Sequence, residues 1–249
     1  MNLSVPDYKN LNNQQDKVLN LLAGRLGDFY LTGGTALGRF YLGHRYSDDL
    51  DFFVNDHPDF TEKTKEFFRI IKAAFRVDES VTLQAAGYLR IMISDEIPLK
   101  VEFVNDTAYR WGETLMAGSI PVDNPANILA NKLTALLSRD EPKDVFDIIT
   151  ISELYSFNWI EIYSHAFNKQ LMNEADVAMR LKSFPVELLV NQPWLKYQLK
   201  PDDLKIKLET IIDDFLFAGD NSFGINKPHI TTAKPFDSKQ VQDINILCP

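Results

Sequence analysis

Phe29 to Val54 reads FYLTGGTALGRFYLGHRYSDDLDFFV. Phe29 to Thr32 is a short apolar run rich in β formers that stops at Gly33-Gly34, and Ala36, Leu37, Phe40 and Tyr41 then recur at helical spacing from Thr35 to Leu42. The stretch therefore predicts strand, glycine turn, helix. A helix that starts on two glycines leaves its first N–H groups free and lets a ligand approach bare backbone, which suits a phosphate. After the loop His44 to Asp48, Asp49-Leu50-Asp51-Phe52-Phe53-Val54 reads as a second strand, with Asp49 and Asp51 on one face and Leu50 and Phe52 on the other. Two carboxylates side by side repel unless a cation sits between them. Hard oxygen ligands of this kind suit Mg²⁺ or Mn²⁺.

Either feature alone is ordinarily structural, a turn or a solvated strand face. Together, about fifteen residues apart, they would bring a phosphate seat and a carboxylate pair to one end of one sheet. Working outward, 249 residues can bury a sizeable core, and 45% hydrophobic with 24% charged residues is an ordinary globular balance. No run of about eighteen apolar residues occurs, and MNLSVPDYKNLNNQQ lacks the features of a signal peptide, so the expectation is a cytoplasmic protein with no membrane partner. The single cysteine, Cys248, excludes an intramolecular disulfide and a Cys-based zinc site, and the four histidines lack ligand spacing. The net charge of −9 is spread evenly, with 13 basic and 17 acidic residues before position 121 and 13 and 18 after it. No basic stripe therefore announces a broad nucleic-acid surface.

Asn12 to Arg25 predicts an amphipathic helix carrying Val18, Leu19 and Leu22, with Leu26 following on the same stripe, and Asp59 to Phe75 a second one with Asp59 as its cap. Three β-like runs follow, Ser80 to Ala85, Leu89 to Ser94 and Pro98 to Val104; in the last, Lys100 and Glu102 share one face. From Asn124 onward the pattern turns helical, at Pro125 to Leu137, Asp144 to Leu154, Trp159 to Gln170, Glu174 to Leu181 and Pro201 to Phe217. The fold class expected is thus α/β (α+β), a mixed sheet with flanking helices in residues 1–122, followed by a mostly α-helical C-terminal half in residues 123–249. The last thirty residues show no period and would wrap the surface or fray. Lys132 sits on or beside an apolar stripe, where it either snorkels to solvent or reaches an anion, and Asp144 lies one loop further on.

GGTAL, HRYSDDLDFF, KVEF and NKLTALLSRDEPKDVFDI, in that order, resemble the AbiEii/AbiGii-type toxin nucleotidyltransferases, a branch of the polymerase-β-like nucleotidyltransferase superfamily. The resemblance covers roughly residues 15 to 155. It implies that Gly33, Gly34 and Thr35 cradle a triphosphate, with Arg45 and Ser47 of the connecting loop among the nucleotide-binding residues. It also implies that Asp49 and Asp51 hold metal, that Glu102 supplies a third carboxylate, and that Lys132 and Asp144 contact the nucleotide or complete the site. One departure is Lys143-Asp144, where the family commonly has Arg-Asp. The implied activity is Mg²⁺-dependent transfer of a nucleoside monophosphate from a nucleoside triphosphate to an RNA or tRNA hydroxyl, in a toxin with an antitoxin partner. The alternatives are a small-molecule or protein acceptor, a metal-dependent nuclease, and a non-catalytic nucleotide-binding module.

Overall fold

The structure, a computed structural model, describes residues 7–236; Cys248 and the end of the tail lie outside them. The opening stretch folds as its pattern dictates, into β1 (Tyr30–Thr32), α2 (Gly33–Phe40) and β2 (Asp49–Asn55), preceded by α1 (Tyr8–Leu22) and followed by α3 (Phe60–Ala74). The three β-like runs become β3 (Leu83–Ala85), β4 (Tyr88–Ile93) and β5 (Leu99–Asp106), and a short hairpin, β6 (Leu115–Ala117) and β7 (Ile120–Val122), completes a mixed seven-stranded sheet of order β3-β4-β5-β2-β1-β7-β6. The hairpin carries no apolar run long enough to announce it in the sequence; its turn closes at Gly118, whose φ of 62° is a left-handed backbone that favours glycine.

Alternation sorts the sheet faces. On β2, Leu50, Phe52 and Val54 are buried while Asp49, Asp51, Phe53 and Asn55 stay partly open, and on β5 Val101 and Phe103 are buried while Lys100 and Glu102 are not. The buried face carries rings from Phe52, Phe103, Phe67 and Phe29, with Phe52 on Phe103 at 5.2 Å and Phe67 on Phe103 at 5.0 Å. Each side chain removed from water in this way stabilises the sheet by roughly 1.5–3 kcal/mol. β2 and β5 run parallel with Asp51 opposite Glu102 and Asp49 opposite Lys100, while β1 lies antiparallel on the other side of β2 with Thr32 opposite Asp51. The open face of the central strands therefore gathers the charged residues.

The helical half consists of α4 (Pro125–Ser138), α5 (Pro142–Leu154), α6 (Trp159–Lys169), α7 (Glu174–Lys182) and α8 (Pro201–Leu216). Asn124 caps α4 by accepting the Asn127 N–H at 2.8 Å, and Pro125 and Pro142 occupy first turns, where their missing N–H costs nothing. Trp159 is fully buried, edge-on to Phe157 and Phe215. Asp59 departs from expectation: its side chain makes no capping bond, and its own N–H donates to His57 Nδ1 at 3.0 Å, which holds it out of the capping geometry. Within the described residues the chain after α8 is packed down. Asn221 Nδ2 donates to the carbonyls of Ser152 and Tyr155 at 2.7 Å, Ile230 is buried, and the Phe236 N–H reaches the Phe40 carbonyl at 2.7 Å.

The two glycines that open α2 serve different ends. Gly33 has a φ of 68°, and a Cβ there would stand 3.1 Å from Asp51 Oδ2. Gly34 is buried against the Arg45 guanidinium, so closely that a Cβ would stand 2.2 Å from Nη2. A glycine-to-alanine change inside a helix ordinarily gains about 0.5–1 kcal/mol, so the sign is informative. Gly34→Ala should instead lower the unfolding free energy in urea by about 1–3 kcal/mol, as overpacking does; a gain would mean that Arg45 can move aside.

Candidate active site

The open sheet face and the underside of α4 and α6 enclose a cleft of about 420 Å³. Its floor holds Gly33, Asp51, Phe53, Glu102 and Asp106, and its opposite wall Asn131, Lys132, Arg139 and Lys169. Gly33, Asp51, Glu102 and Lys132, separated by a hundred residues of sequence, thus line one space. Asp49 adjoins it on the same strand face.

The three carboxylates differ sharply in company. Asp51 has no side-chain partner among the described residues; burial, then the charges of Asp49 and Glu102, push its carboxyl up to about 7. Asp49 accepts from Lys100 Nζ at 3.0 Å, although burial still raises its carboxyl. Glu102 is the best satisfied: Lys100 Nζ lies 2.9 Å from Oε2, while the Tyr88 hydroxyl donates to Oε1 and Arg90 Nε stands 3.4 Å from it. Burial works against ionisation of Glu102, but Tyr88, Lys100 and Arg90 outweigh it and hold the carboxyl below its ordinary value. Among the described residues no three acidic, histidine or cysteine side chains converge as a ready metal cage. Asp49 and Asp51 fit a hard divalent ion, since they present carboxylate oxygens side by side and Asp51 lacks a compensating charge. Glu102, expected as the third metal ligand, has the chain's own donors on both oxygens.

Lys132 neither snorkels nor stands free. It is buried, with Nζ 2.6 Å from Asp144 Oδ1 and 2.7 Å from Asp147 Oδ2, so its charge is held by two internal carboxylates at the edge of the cleft. Asp144 also receives Arg139 through Nε at 2.7 Å and Nη2 at 2.9 Å, and these cations hold it below the usual carboxylate range against the effect of burial. Arg45, expected at the nucleotide, is buried as well. Its Nε and Nη2 donate to Asp147 at 2.6 and 2.7 Å and its Nη1 to the Tyr46 carbonyl at 2.9 Å. The Thr35 hydroxyl is fully buried and donates to the Asp49 carbonyl, tying α2 to β2, so that only its backbone faces the glycine turn. Ser47 lies in a separate groove with Asn12, Arg39 and Lys196, and its carbonyl accepts from Gln15 Nε2 at 2.8 Å. Lys143, where the family departure falls, pairs with Asp48.

Asp147, Arg139 and Lys169 escaped the sequence reading. Asp147 lies three residues after Asp144 on the apolar stripe of α5, and Arg139 two turns after Lys132; those spacings were the available signals. Lys169 carries none. It reaches the cleft because α6 packs on α4, and it has no carboxylate partner among the described residues, only the Tyr109 carbonyl at 3.5 Å and the Tyr109 ring. Burial lowers its affinity for its proton.

Residues 22–234 match the family described as "Nucleotidyl transferase AbiEii toxin, Type IV TA system". The chain belongs to this family. An uncharacterised protein of Aquifex aeolicus (strain VF5) is 31% identical over 133 residues, 53% of this chain and 61% of that protein, so the chain spans less than two thirds of this relative's length. Among solved structures, the nucleotidyltransferase toxin MenT4 of Mycobacterium tuberculosis H37Rv is similar with a TM-score of 0.61 at 18% identity, covering 88% of this chain and 84% of that one. JHP933 from Helicobacter pylori is similar with a TM-score of 0.57 at 19% identity, covering 83% and 90%. At such identities the likeness establishes the nucleotidyltransferase fold. No helix among the described residues is long and apolar enough to cross a membrane.

The ionic cluster behind the AbiEii cleft makes a pH prediction. His44 is fully buried and donates from Nε2 to the ionised Asp147 Oδ1 over 2.8 Å, and burial pushes its imidazole down to about 4. An unfolded histidine takes up a proton below about 6.5, so this group's contribution is complete above that pH and is lost as pH falls toward 4. Asp51 acts in the opposite sense, because its raised carboxyl favours the folded state as pH falls from about 7. The comparison is therefore between wild type and His44→Gln: from pH 7 to 4.5 the stability difference should move by about 2–3 kcal/mol in favour of the variant. Parallel stability curves in urea would show instead that the His44 imidazole takes up its proton in the fold as it does in the unfolded chain.

Proposed function

We propose that this AbiEii-family chain transfers a nucleoside monophosphate from a nucleoside triphosphate to the hydroxyl of an acceptor, with a divalent ion, Mg²⁺ or Mn²⁺, held by Asp49 and Asp51. The observation that carries the reading is the meeting, in one cleft, of the bare N-terminus of α2 at Gly33 with the uncompensated carboxylate of Asp51. Backbone N–H groups at a helix start favour phosphate oxygens, and Gly33 leaves the space above Asp51 in which a phosphate and its cation would sit. A bound divalent ion would neutralise charge on the triphosphate and on the oxygens that enter and leave. Arg139, more than half exposed and lining the cleft, holds Asp144 through Nε and Nη2 and keeps Nη1 for a phosphate oxygen, while Lys132 holds Asp144 and Asp147 so that Arg139 is aimed. Glu102, kept ionised by its three donors, accepts a hydrogen bond from the acceptor hydroxyl and orients it. As the hydroxyl oxygen forms its bond to the α-phosphorus, its proton passes to Glu102 and from there to solvent, the bond from that phosphorus to the bridging oxygen breaks, and pyrophosphate departs with the electron pair. Catalysis is positioning and charge stabilisation.

For the acceptor we propose an RNA 3′ end, tRNA first, on the support of the cationic wall formed by Arg139 and Lys169 and of the toxin family. A cognate antitoxin is the corresponding protein partner. Residues 1–122 would then serve metal and nucleotide, and residues 123–249 would complete the site and select the acceptor.

Incubation of the protein with each α-³²P-labelled triphosphate and total RNA tests this. Label should enter RNA in the presence of Mg²⁺, and Asp51→Asn should reduce labelling by about a hundred- to a thousandfold, as loss of a main charge-stabilising group does, without loss of fold. Shortened RNA would instead indicate hydrolysis. Label in a protein or small molecule would redirect the acceptor, and no label anywhere would overturn the enzymatic reading.

A further inference from the structure

Lys100 stands on the cleft face of β5, between two of the three carboxylates. Its Nζ is 3.0 Å from Asp49 Oδ2 and 2.9 Å from Glu102 Oε2. The strand register produces this arrangement, since Lys100 lies directly opposite Asp49 on the parallel neighbour and two residues before Glu102 on its own strand, on the same face. With Tyr88 and Arg90 on Oε1 and Lys100 on Oε2, both oxygens of Glu102 have donors. Among the described residues, Asp49 Oδ1 and both oxygens of Asp51 are left without a side-chain partner.

We propose that Lys100 is a built-in counter-cation standing where a second divalent ion would stand, so that the chain holds one divalent ion, on Asp49 and Asp51, and not two. This inference rests on the metal-dependent reading given above. The competition is one of space and charge. A hard divalent ion of the Mg²⁺ class needs carboxylate oxygens at about 2.0–2.1 Å in near-octahedral array, whereas an ammonium within hydrogen-bond distance of Asp49 Oδ2 and Glu102 Oε2 already occupies the gap between them. Lys100 and Arg90 already set positive charge against Glu102 and one oxygen of Asp49, so a single divalent ion on Asp49 and Asp51 suffices for the negative charge that remains. A second divalent ion would leave an excess of positive charge unless the lysine withdrew, and withdrawal would remove the donor from Glu102 Oε2. Lys100 acts in this scheme as a positioning residue: it holds Glu102 and Asp49 apart at fixed places and keeps a positive charge beside the path of the acceptor oxygen.

The test counts ions, independently of turnover. The full chain is titrated with Mn²⁺ alone, and free Mn²⁺ is read by electron paramagnetic resonance. Wild type should bind one Mn²⁺ per chain, Lys100→Met two, and Asp51→Asn none. Lys100→Gln should also bind two, and serves if the methionine variant fails to fold; the wild-type count stands in any case. Two ions on wild type, or one ion on wild type and on both lysine variants, would overturn the proposal. No ion on any of the proteins would overturn the metal-dependent reading itself, and is recognisable because the lysine variants would then be as silent as wild type.

Discussion

A single buried carboxylate, Asp147, fixes how the helical half meets the sheet. It is fully buried and receives the Arg45 guanidinium through two nitrogens, His44 Nε2 and the Lys132 ammonium, and these partners hold it well below the usual carboxylate range despite the opposing effect of burial. Such a cluster contributes little net stability compared with an apolar substitute, because desolvating the charges costs about as much as their attraction returns. What it supplies is uniqueness of geometry. Arg45 and His44 belong to the loop between α2 and β2, Asp147 to α5 and Lys132 to α4, so one set of contacts orients the glycine turn, the carboxylate strand and the wall of the cleft together. Backbone contacts reinforce the joint: the Tyr46 N–H donates to the Trp194 carbonyl at 2.8 Å, and Arg45 bridges Leu195.

The second glycine of the GG pair follows from this joint. Gly34 lacks a side chain because the Arg45 guanidinium occupies that volume on its way to Asp147, and Gly38, one turn later, lacks one because the Arg45 carbonyl would stand 2.7 Å from a Cβ. Gly33 alone keeps bare backbone beside Asp51. Arg45 is therefore scaffold, Gly33 and Asp51 lie together on the floor of the cleft, and Arg139 and Lys169 are cations that line it.

Most of the fold was legible in the sequence because it rests on local periodicity. Alternation put Asp49 and Asp51 on one strand face and Lys100 with Glu102 on another, and 3.6-residue spacing marked the helices with ends displaced by a few residues. The β6–β7 hairpin was missed because two strands of three residues hold no period. At the site, residue types and order pointed to Gly33, Asp49, Asp51, Glu102 and Lys132, whereas their partners were not legible. A sequence shows that Lys132 is a costly lysine on an apolar stripe but not that Asp144 and Asp147 receive it, and it shows Arg45 in a polar loop but not that the loop turns inward. The Lys132 pairings cross from one helix to the next and the Arg45 pairing spans 102 residues; both are set by packing, which local pattern does not encode.

The claim that the Arg45–Asp147 pair is the joint of the molecule is tested most directly by a double-mutant cycle in urea. Arg45→Met and Asp147→Leu should each cost about 3–5 kcal/mol, because each leaves a buried charge without its main partner. The double variant should cost no more than the worse single, giving a coupling energy of about 3 kcal/mol or more. Additive losses would contradict the account, since they would mean that the two side chains hold separate parts of the structure.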